Sequence, residues 1–145
     1  MKYDDASWHY GADNFPKHLP QEAGGTHAGM FVAWAFISGL AGDLHIEDFP
    51  EDMPRLKRRG VTPGRFFFEA CDGKFTDEDL NAVGNRFAQD YFDFRKGKYL
   101  ADYEKVLAQN CPDLYSVADT WENFDRLRPV LDQRFEDWKA THGYA

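Results

Sequence analysis

The fold of this chain is decided by one apolar stretch, THAGMFVAWAFISGL at residues 26–40. Thr26 is a favourable N-cap, so a helix is predicted to begin there and to run to about Leu40. The glycines at 39 and 42 then end it. Apolar side chains occupy almost the whole circumference of this helix. A helix without a polar face is typical of the middle of a bundle, so we expect the other elements to surround it.

Apolar residues three and four positions apart predict further amphipathic helices. Their predicted starting points are Thr62-Pro63, the Thr76 cap, Tyr99 and Thr120. A short helix is also expected near Pro54. Pro129 lies inside the last helix, where a proline predicts a kink or a break into two helices. No stretch alternates steadily between apolar and polar residues, so no sheet is predicted, although a short hairpin within residues 1–20 stays open.

These patterns predict an all-α protein with one domain at residues 1–145. The first 25 residues are rich in glycine, proline and aromatic side chains, and they predict an irregular arm that packs across the domain. Residues 26–145 form the helical body, a single compact bundle of about five to six helices. The length of 145 residues suits one domain, and an aromatic content of 17% argues against disorder.

Charge and cysteine content narrow the class of protein. The chain has 25 acidic and 17 basic residues, and its net charge of -8 favours a basic protein partner over nucleic acid. The longest apolar run, residues 28–42, is shorter than the roughly 20 residues of a membrane span, so no membrane partner is expected. The chain has only two cysteines, Cys71 and Cys111, which is typical of a cytoplasmic protein with free thiols. Its first residues are polar and acidic, so no signal peptide is expected.

No sequence motif indicates catalysis or metal binding. The serines lack the context of an activated nucleophile, and no glycine-rich phosphate loop is present. The nearest approach to a ligand group lies in a charged connector and consists of Asp43, His45, Glu47 and Asp48. A solvated acidic loop is the simplest interpretation of that cluster. We therefore expect no catalytic residue, no metal and no cofactor, and we treat the four residues as candidates for binding a partner or ligand.

The N-terminal arm contains the least ordinary group of residues. Two acids, two aromatic residues and a histidine occur close together: Asp4, Asp5, Trp8, His9 and Tyr10. In one interpretation the aromatic rings fill a groove, and an acid caps a helix or pairs with a basic residue. In the other, the arm is a recognition surface with aromatic anchors, which dominate many binding interfaces.

The same arm carries a resemblance to a known group of proteins. The segments YDDASWHYG at residues 3–11, THAGMFVAW at 26–34 and CDGKF at 71–75 resemble those of a family of small, uncharacterised bacterial proteins. The resemblance covers most of the chain. The family is a domain of unknown function, so it implies no catalytic residues. Proteins of this kind are associated with immunity factors that neutralise toxins exchanged between bacteria, and the resemblance implies such a role.

Three functions follow as hypotheses. The leading one is a protein-binding module, an immunity protein that neutralises a cognate toxin, or another basic protein, by direct binding. The alternative is an enzyme or small-ligand-binding protein, with a pocket near the arm that gathers Asp4, Asp5, His9, His27 and His45. Whether these side chains meet in the folded chain distinguishes the two. The third is an adaptor subunit, which needs a large exposed apolar patch on a helix.

Overall fold

The computed structural model describes residues 1–144, which form mainly α-helices around one apolar core. The α-helices are α1 (Ala6–Tyr10), α2 (Thr26–Ile37), α3 (Asp52–Lys57), α4 (Pro63–Cys71), α5 (Ala82–Tyr91), α6 (Tyr99–Leu107) and α7 (Trp121–Thr141). Short 3-10 helices occur at Gln21–Gly25, Asp77–Asp79 and Leu114–Ser116, and a turn of π-helix occurs at Leu44–Asp48. The predicted all-α class is confirmed, with seven α-helices in the described residues instead of five to six.

Helix α2 lies at the centre of the core. Every residue from Thr26 to Phe36 is buried, as the apolar circumference predicted. A 3-10 helix leads directly into α2, so Gly25 occupies the N-cap position that the sequence assigned to Thr26. The helix ends at Ile37, earlier than predicted, and the chain then turns at Gly39 with a left-handed φ of +84°. The other elements pack around this buried helix.

Helix α4 approaches α2 very closely, and Gly29 permits the approach. A Cβ atom on Gly29 would lie 2.8 Å from Gly64 Cα and 2.8 Å from the Pro63 carbonyl oxygen. The predicted start of α4 at Thr62-Pro63 is confirmed. Asp119 supplies the cap, because its carboxylate accepts hydrogen bonds from the Gly64 amide at 2.7 Å and the Thr62 hydroxyl at 2.5 Å.

The N-terminal residues are more regular than predicted. Strand β1 (Lys2–Asp5) pairs antiparallel with strand β2 (Lys74–Thr76), and α1 follows β1 immediately. Both strands are too short to show alternation in the sequence, and the two lie far apart along the chain. The predicted irregular arm is therefore wrong for residues 1–10 and for the 3-10 helix at Gln21–Gly25, whereas residues 11–20 form turns.

The helix predicted from Thr76 begins later than expected. Thr76 caps only the 3-10 turn Asp77–Asp79. Leu80 then adopts an extended conformation and forms a β-bridge with Ala41. Helix α5 begins at Ala82, after Asn81 has accepted a cap hydrogen bond from the Gly84 amide at 2.9 Å. The pairing with a distant segment therefore displaces the helix start.

Helix α7 is continuous through Pro129, so the predicted break into two helices is wrong. Leu127 and Leu131 are both fully buried, so packing on each side of the proline offsets the hydrogen bond that proline cannot donate. The predicted Thr120 cap is confirmed, since its hydroxyl accepts from the Asn123 amide at 3.1 Å. No helix in residues 1–144 is long and apolar enough to cross a membrane.

The contact between α2 and α4 gives a stability prediction. We expect Gly29→Ala to destabilise the protein by about 1–3 kcal/mol, because the new methyl group meets backbone atoms that cannot rotate away. That penalty exceeds the roughly 1 kcal/mol that alanine gains in helix propensity. Urea denaturation measures the change.

Gly60→Ala is the matched control for this substitution. Its Cβ would meet first the flexible Arg58 side chain at 3.3 Å, so we expect a change within about 0.5 kcal/mol. Equal stability of the Gly29→Ala variant and the wild type would contradict the close helix contact.

Candidate functional site

Strand β1 brings Asp4 to the start of α2 and Asp5 to the start of α1. Asp4 is fully buried in β1, and its Oδ1 accepts a hydrogen bond from the Asp5 amide at 2.8 Å. Asp5 instead caps α1, accepting from the Ser7 amide at 2.9 Å, and it pairs with Lys2 at 2.8 Å. Burial acts to raise the pKa of Asp5, but the contacts with Lys2 and Ser7 outweigh it and lower the pKa to about 2. Asp5 therefore stabilises the start of α1 and does not share the contacts of Asp4.

Asp4, His9, His27 and Tyr115 form a polar cluster, which we name the Asp4 centre. His9 Nε2 lies 2.8 Å from Asp4 Oδ1, and His27 Nε2 lies 2.9 Å from Asp4 Oδ2. The two imidazole rings meet edge to face with their centroids 4.5 Å apart. His9 Nδ1 lies 2.8 Å from Tyr115 Oη. The sequence singled out the first three residues, whereas Tyr115 comes from the distant 3-10 helix Leu114–Ser116 and no sequence signal indicated it.

The Asp4 centre holds a carboxylate in a buried place. Burial acts to raise the pKa of Asp4, but the neighbouring imidazoles of His27 and His9 outweigh it and lower the pKa. Asp4 Oδ2 and both nitrogens of His27 have no aligned hydrogen bond to any described residue. The 2.9 Å approach of His27 Nε2 to Asp4 Oδ2 is therefore a close polar contact in poor hydrogen-bond geometry. Such unpaired buried polar atoms are uncommon in folded proteins.

The two aromatic residues of the arm have different environments. Trp8 is 51% exposed, and the Lys2 ammonium lies 5.6 Å from the centre of its ring. Tyr10 is partly buried and packs against the core. The arm therefore combines both interpretations that its sequence allowed: Tyr10 contributes to packing, and Trp8 presents an aromatic face to solvent.

His45 belongs to a second buried cluster, formed with Asp52, Asp79 and Cys71, which we name the His45 centre. His45 Nε2 lies 2.7 Å from Asp79 Oδ1, and its Nδ1 lies 3.0 Å from Asp52 Oδ2. Burial acts to lower the pKa of His45, but Asp79 and Asp52 outweigh it and raise the pKa. Both ring nitrogens therefore face carboxylates, as a protonated imidazolium requires. Burial, reinforced by the two carboxylates, raises the pKa of the Cys71 thiol well above its usual value.

The structure separates His45 from the other members of the predicted acidic loop. His45 is fully buried, which corrects its expected place in a solvated loop. The exposed residues around it are Asp43, Ile46, Glu47, Asp48, Phe49, Pro50 and Glu51, and we name residues 43–51 the acidic segment. Ile46 is 53% exposed and Phe49 is 51% exposed. Within the described chain, none of its four exposed carboxylates forms an ion pair.

Two groups of side chains bring together atoms that can ligate a metal. They are Asp4 with His9 and His27, and His45 with Cys71 and Asp79; in each group, one atom from each residue lies within 4.8 Å of the others. Neither group forms a short metal-binding motif in the sequence, because its members lie on separate helices, strands or turns. The predicted pocket of five residues is thus divided: Asp4, His9 and His27 meet, His45 lies in the other group and Asp5 caps α1.

The His45 centre predicts a pH-dependent stability. Because its pKa is raised above 6.5 in the folded state, its contribution is complete below about pH 6.5 and is lost as the pH rises through the folded pKa. Between about pH 6.5 and the folded-state pKa of His45, the unfolding free energy of the wild type should therefore fall relative to that of His45→Gln. The slope should reach up to about 1.4 kcal/mol per pH unit.

Urea denaturation at a series of pH values measures this difference. His18→Gln, which removes an exposed histidine, is the control and should retain the slope of the wild type. Parallel stability profiles for the wild type and His45→Gln would contradict the buried imidazolium.

Comparison with known proteins places this geometry in a family. A family model described as a domain of unknown function, DUF7832, matches residues 2–117. The match spans well over half of the chain and includes both centres and the acidic segment. No solved structure gives a significant match. The chain therefore belongs to the DUF7832 family of domains of unknown function.

Proposed function

We propose that this protein is a protein-binding module that holds a basic partner, and that it acts as an immunity protein neutralising a cognate toxin by direct binding. The observation that carries the proposal is the acidic segment, in which Ile46 and Phe49 are both about half exposed among unpaired carboxylates. Large apolar side chains ringed by charge are typical of an interface with an anchor and a polar rim.

The charges of the acidic segment fit a basic partner. Asp43, Glu47, Asp48 and Glu51 are exposed, and the whole chain has a net charge of -8. Such a field attracts a basic protein, increases the rate of encounter and repels nucleic acid. The attraction weakens as salt screens it, so it contributes mainly to association. A basic toxin domain is the partner that these charges complement.

The exposed apolar side chains fit the role of anchors. Burying Phe49 and Ile46 against a partner removes apolar surface from water, and this contribution does not depend on salt. Both residues lie on or next to the π-helix turn Leu44–Asp48. Charge and apolar surface therefore support binding in separate ways, which separate experiments can measure.

The His45 centre holds the acidic segment in place before a partner arrives. His45 lies inside the segment, and its ring contacts Asp79 on one side and Asp52 on the other. Asp52 directly follows the segment, so the segment is fixed both within it and at its C-terminal end. A preordered surface loses less conformational entropy on binding than a mobile loop does.

The test uses a toxin domain encoded beside the gene for this protein, produced in an inactive form. We expect Phe49→Ala to raise the Kd by about 10-fold or more, mainly through faster dissociation. Glu47→Lys combined with Asp48→Lys should slow association by about 10-fold at low salt, with less effect at high salt. Surface plasmon resonance measures both rates, and growth of cells that express the active toxin measures protection.

Glu104→Lys combined with Glu122→Lys is the matched control, because it makes the same charge change at exposed positions on α6 and α7. It should leave both rates within about two-fold of the wild type. Absence of binding and of protection against the neighbouring toxin would contradict the immunity role. Tight binding that both segment variants leave unchanged would contradict the acidic segment as the interface.

A further inference from the structure

We propose that Asp4, His9 and His27 form a binding site for a divalent transition-metal ion of the zinc type. Nothing in this inference depends on the acidic segment or on a protein partner. It gives a specific ligand to the second hypothesis, a small-ligand site near the arm. Four independent features of the Asp4 centre support it: the spacing of the ligand atoms, their unpaired state, their chemistry and the groups that orient them.

The spacing of the three side chains is close to that of a metal site. One ligand atom from each residue lies within 4.8 Å of the other two. In a tetrahedral zinc site, bonds of about 2.0–2.1 Å place ligand atoms roughly 3.3 Å apart. The contacts of Asp4 with His9 and His27, at 2.8 and 2.9 Å, are slightly shorter. Small side-chain rotations therefore suffice to admit an ion between them.

Several buried polar atoms of the Asp4 centre lack a well-aligned hydrogen bond. Four buried side-chain atoms in residues 1–144 have no hydrogen bond, and three of them are Asp4 Oδ2, His27 Nδ1 and His27 Nε2. Asp4 and His27 are both at least 99% buried. An unpaired buried polar group destabilises a fold by about 1–3 kcal/mol, so such a concentration calls for a ligand. An ion bound by Asp4 Oδ2 and His27 Nε2 satisfies two of the three atoms.

The chemistry of the donors selects the class of ion. Two imidazole nitrogens and one carboxylate suit zinc, iron, cobalt or nickel in the divalent state. Calcium prefers six to eight oxygen ligands, which this centre does not offer. Three protein ligands also leave a coordination position for water or a small ligand, as in catalytic zinc sites.

Neighbouring groups orient the ligands and give access to them. Tyr115 Oη lies 2.8 Å from His9 Nδ1, so it can accept the Nδ1 proton when an ion replaces the proton that Nε2 directs at Asp4 Oδ1. The Asp5 amide fixes Asp4 through its hydrogen bond to Oδ1. The His9 side chain is 15% exposed, so an ion reaches the centre from this side.

The His45 centre is a poorer candidate for the same ion. Both nitrogens of His45 already contact carboxylates, at 2.7 and 3.0 Å. An ion there must displace a proton that these two carboxylates hold in place. Cys71 binds a metal only as a thiolate, and the thiol lies among Asp52 and Asp79, whose charges oppose its ionisation. We therefore expect the ion to bind at the Asp4 centre and not at the His45 centre.

Metal titration of tag-free, chelator-treated protein tests the proposal. Calorimetry with Zn²⁺ should show one site per chain. Co²⁺ should produce the visible absorption bands typical of a four-coordinate site. His9→Gln removes a partly exposed ligand and should weaken Zn²⁺ binding by about 100-fold or more, since loss of a ligand exceeds the 10–100-fold effect of losing an orienting group. Tyr115→Phe, which removes only such an orienting group, should weaken binding by about 10-fold.

Three further variants complete the test. His18→Gln removes an exposed histidine and His45→Gln alters the other centre, and both should retain wild-type affinity. Asp4→Asn should lose binding, with circular dichroism confirming that each variant is folded. No binding of Zn²⁺ or Co²⁺ by the wild type would overturn the proposal, as would equal affinity of the wild type and His9→Gln. Loss of binding in His45→Gln alone would assign the ion to the other centre and would equally overturn it.

Discussion

The complete burial of α2 is the constraint on which the rest of the structure depends. The helix is enclosed from Thr26 to Phe36, so every side of it needs a covering element. Most of the covering side chains are apolar, and many are aromatic. Within α2, His27 is the one ionisable side chain, and burial of an imidazole is unfavourable without a polar partner. The N-terminal strand supplies that partner in Asp4, and the arm is thereby joined to the core.

The parts of the fold that sequence predicted are those encoded locally. The apolar circumference of residues 26–40 marked the central helix, and the caps at Thr62-Pro63 and Thr120 marked the starts of α4 and α7. The pairing of β1 with β2 was missed, because its stability comes from two short segments far apart in the chain. A break at Pro129 was one of two predicted outcomes and does not occur, since tertiary packing outweighs the local preference of proline.

The candidate site was predictable in its residue types and only partly in its grouping. The hypothesis of a pocket near the arm grouped Asp4, His9 and His27, and these three do meet. His45 was selected with its sequence neighbours, yet its contacts are with Asp79 and Asp52. The sequence of this acidic connector does not show that His45 is the residue that is buried, because its burial depends on the position of Asp79 in the folded chain. Long-range placement therefore divided one predicted pocket into two buried centres.

Asp4 and His27 stabilise the fold together, because they link the arm to α2. A double-mutant cycle with Asp4→Asn and His27→Leu, followed by urea denaturation in the presence of a chelator, measures their coupling directly. We expect a coupling free energy of more than about 1 kcal/mol, since the two side chains are in contact in the core. Additivity of the two substitutions within about 0.3 kcal/mol would contradict it.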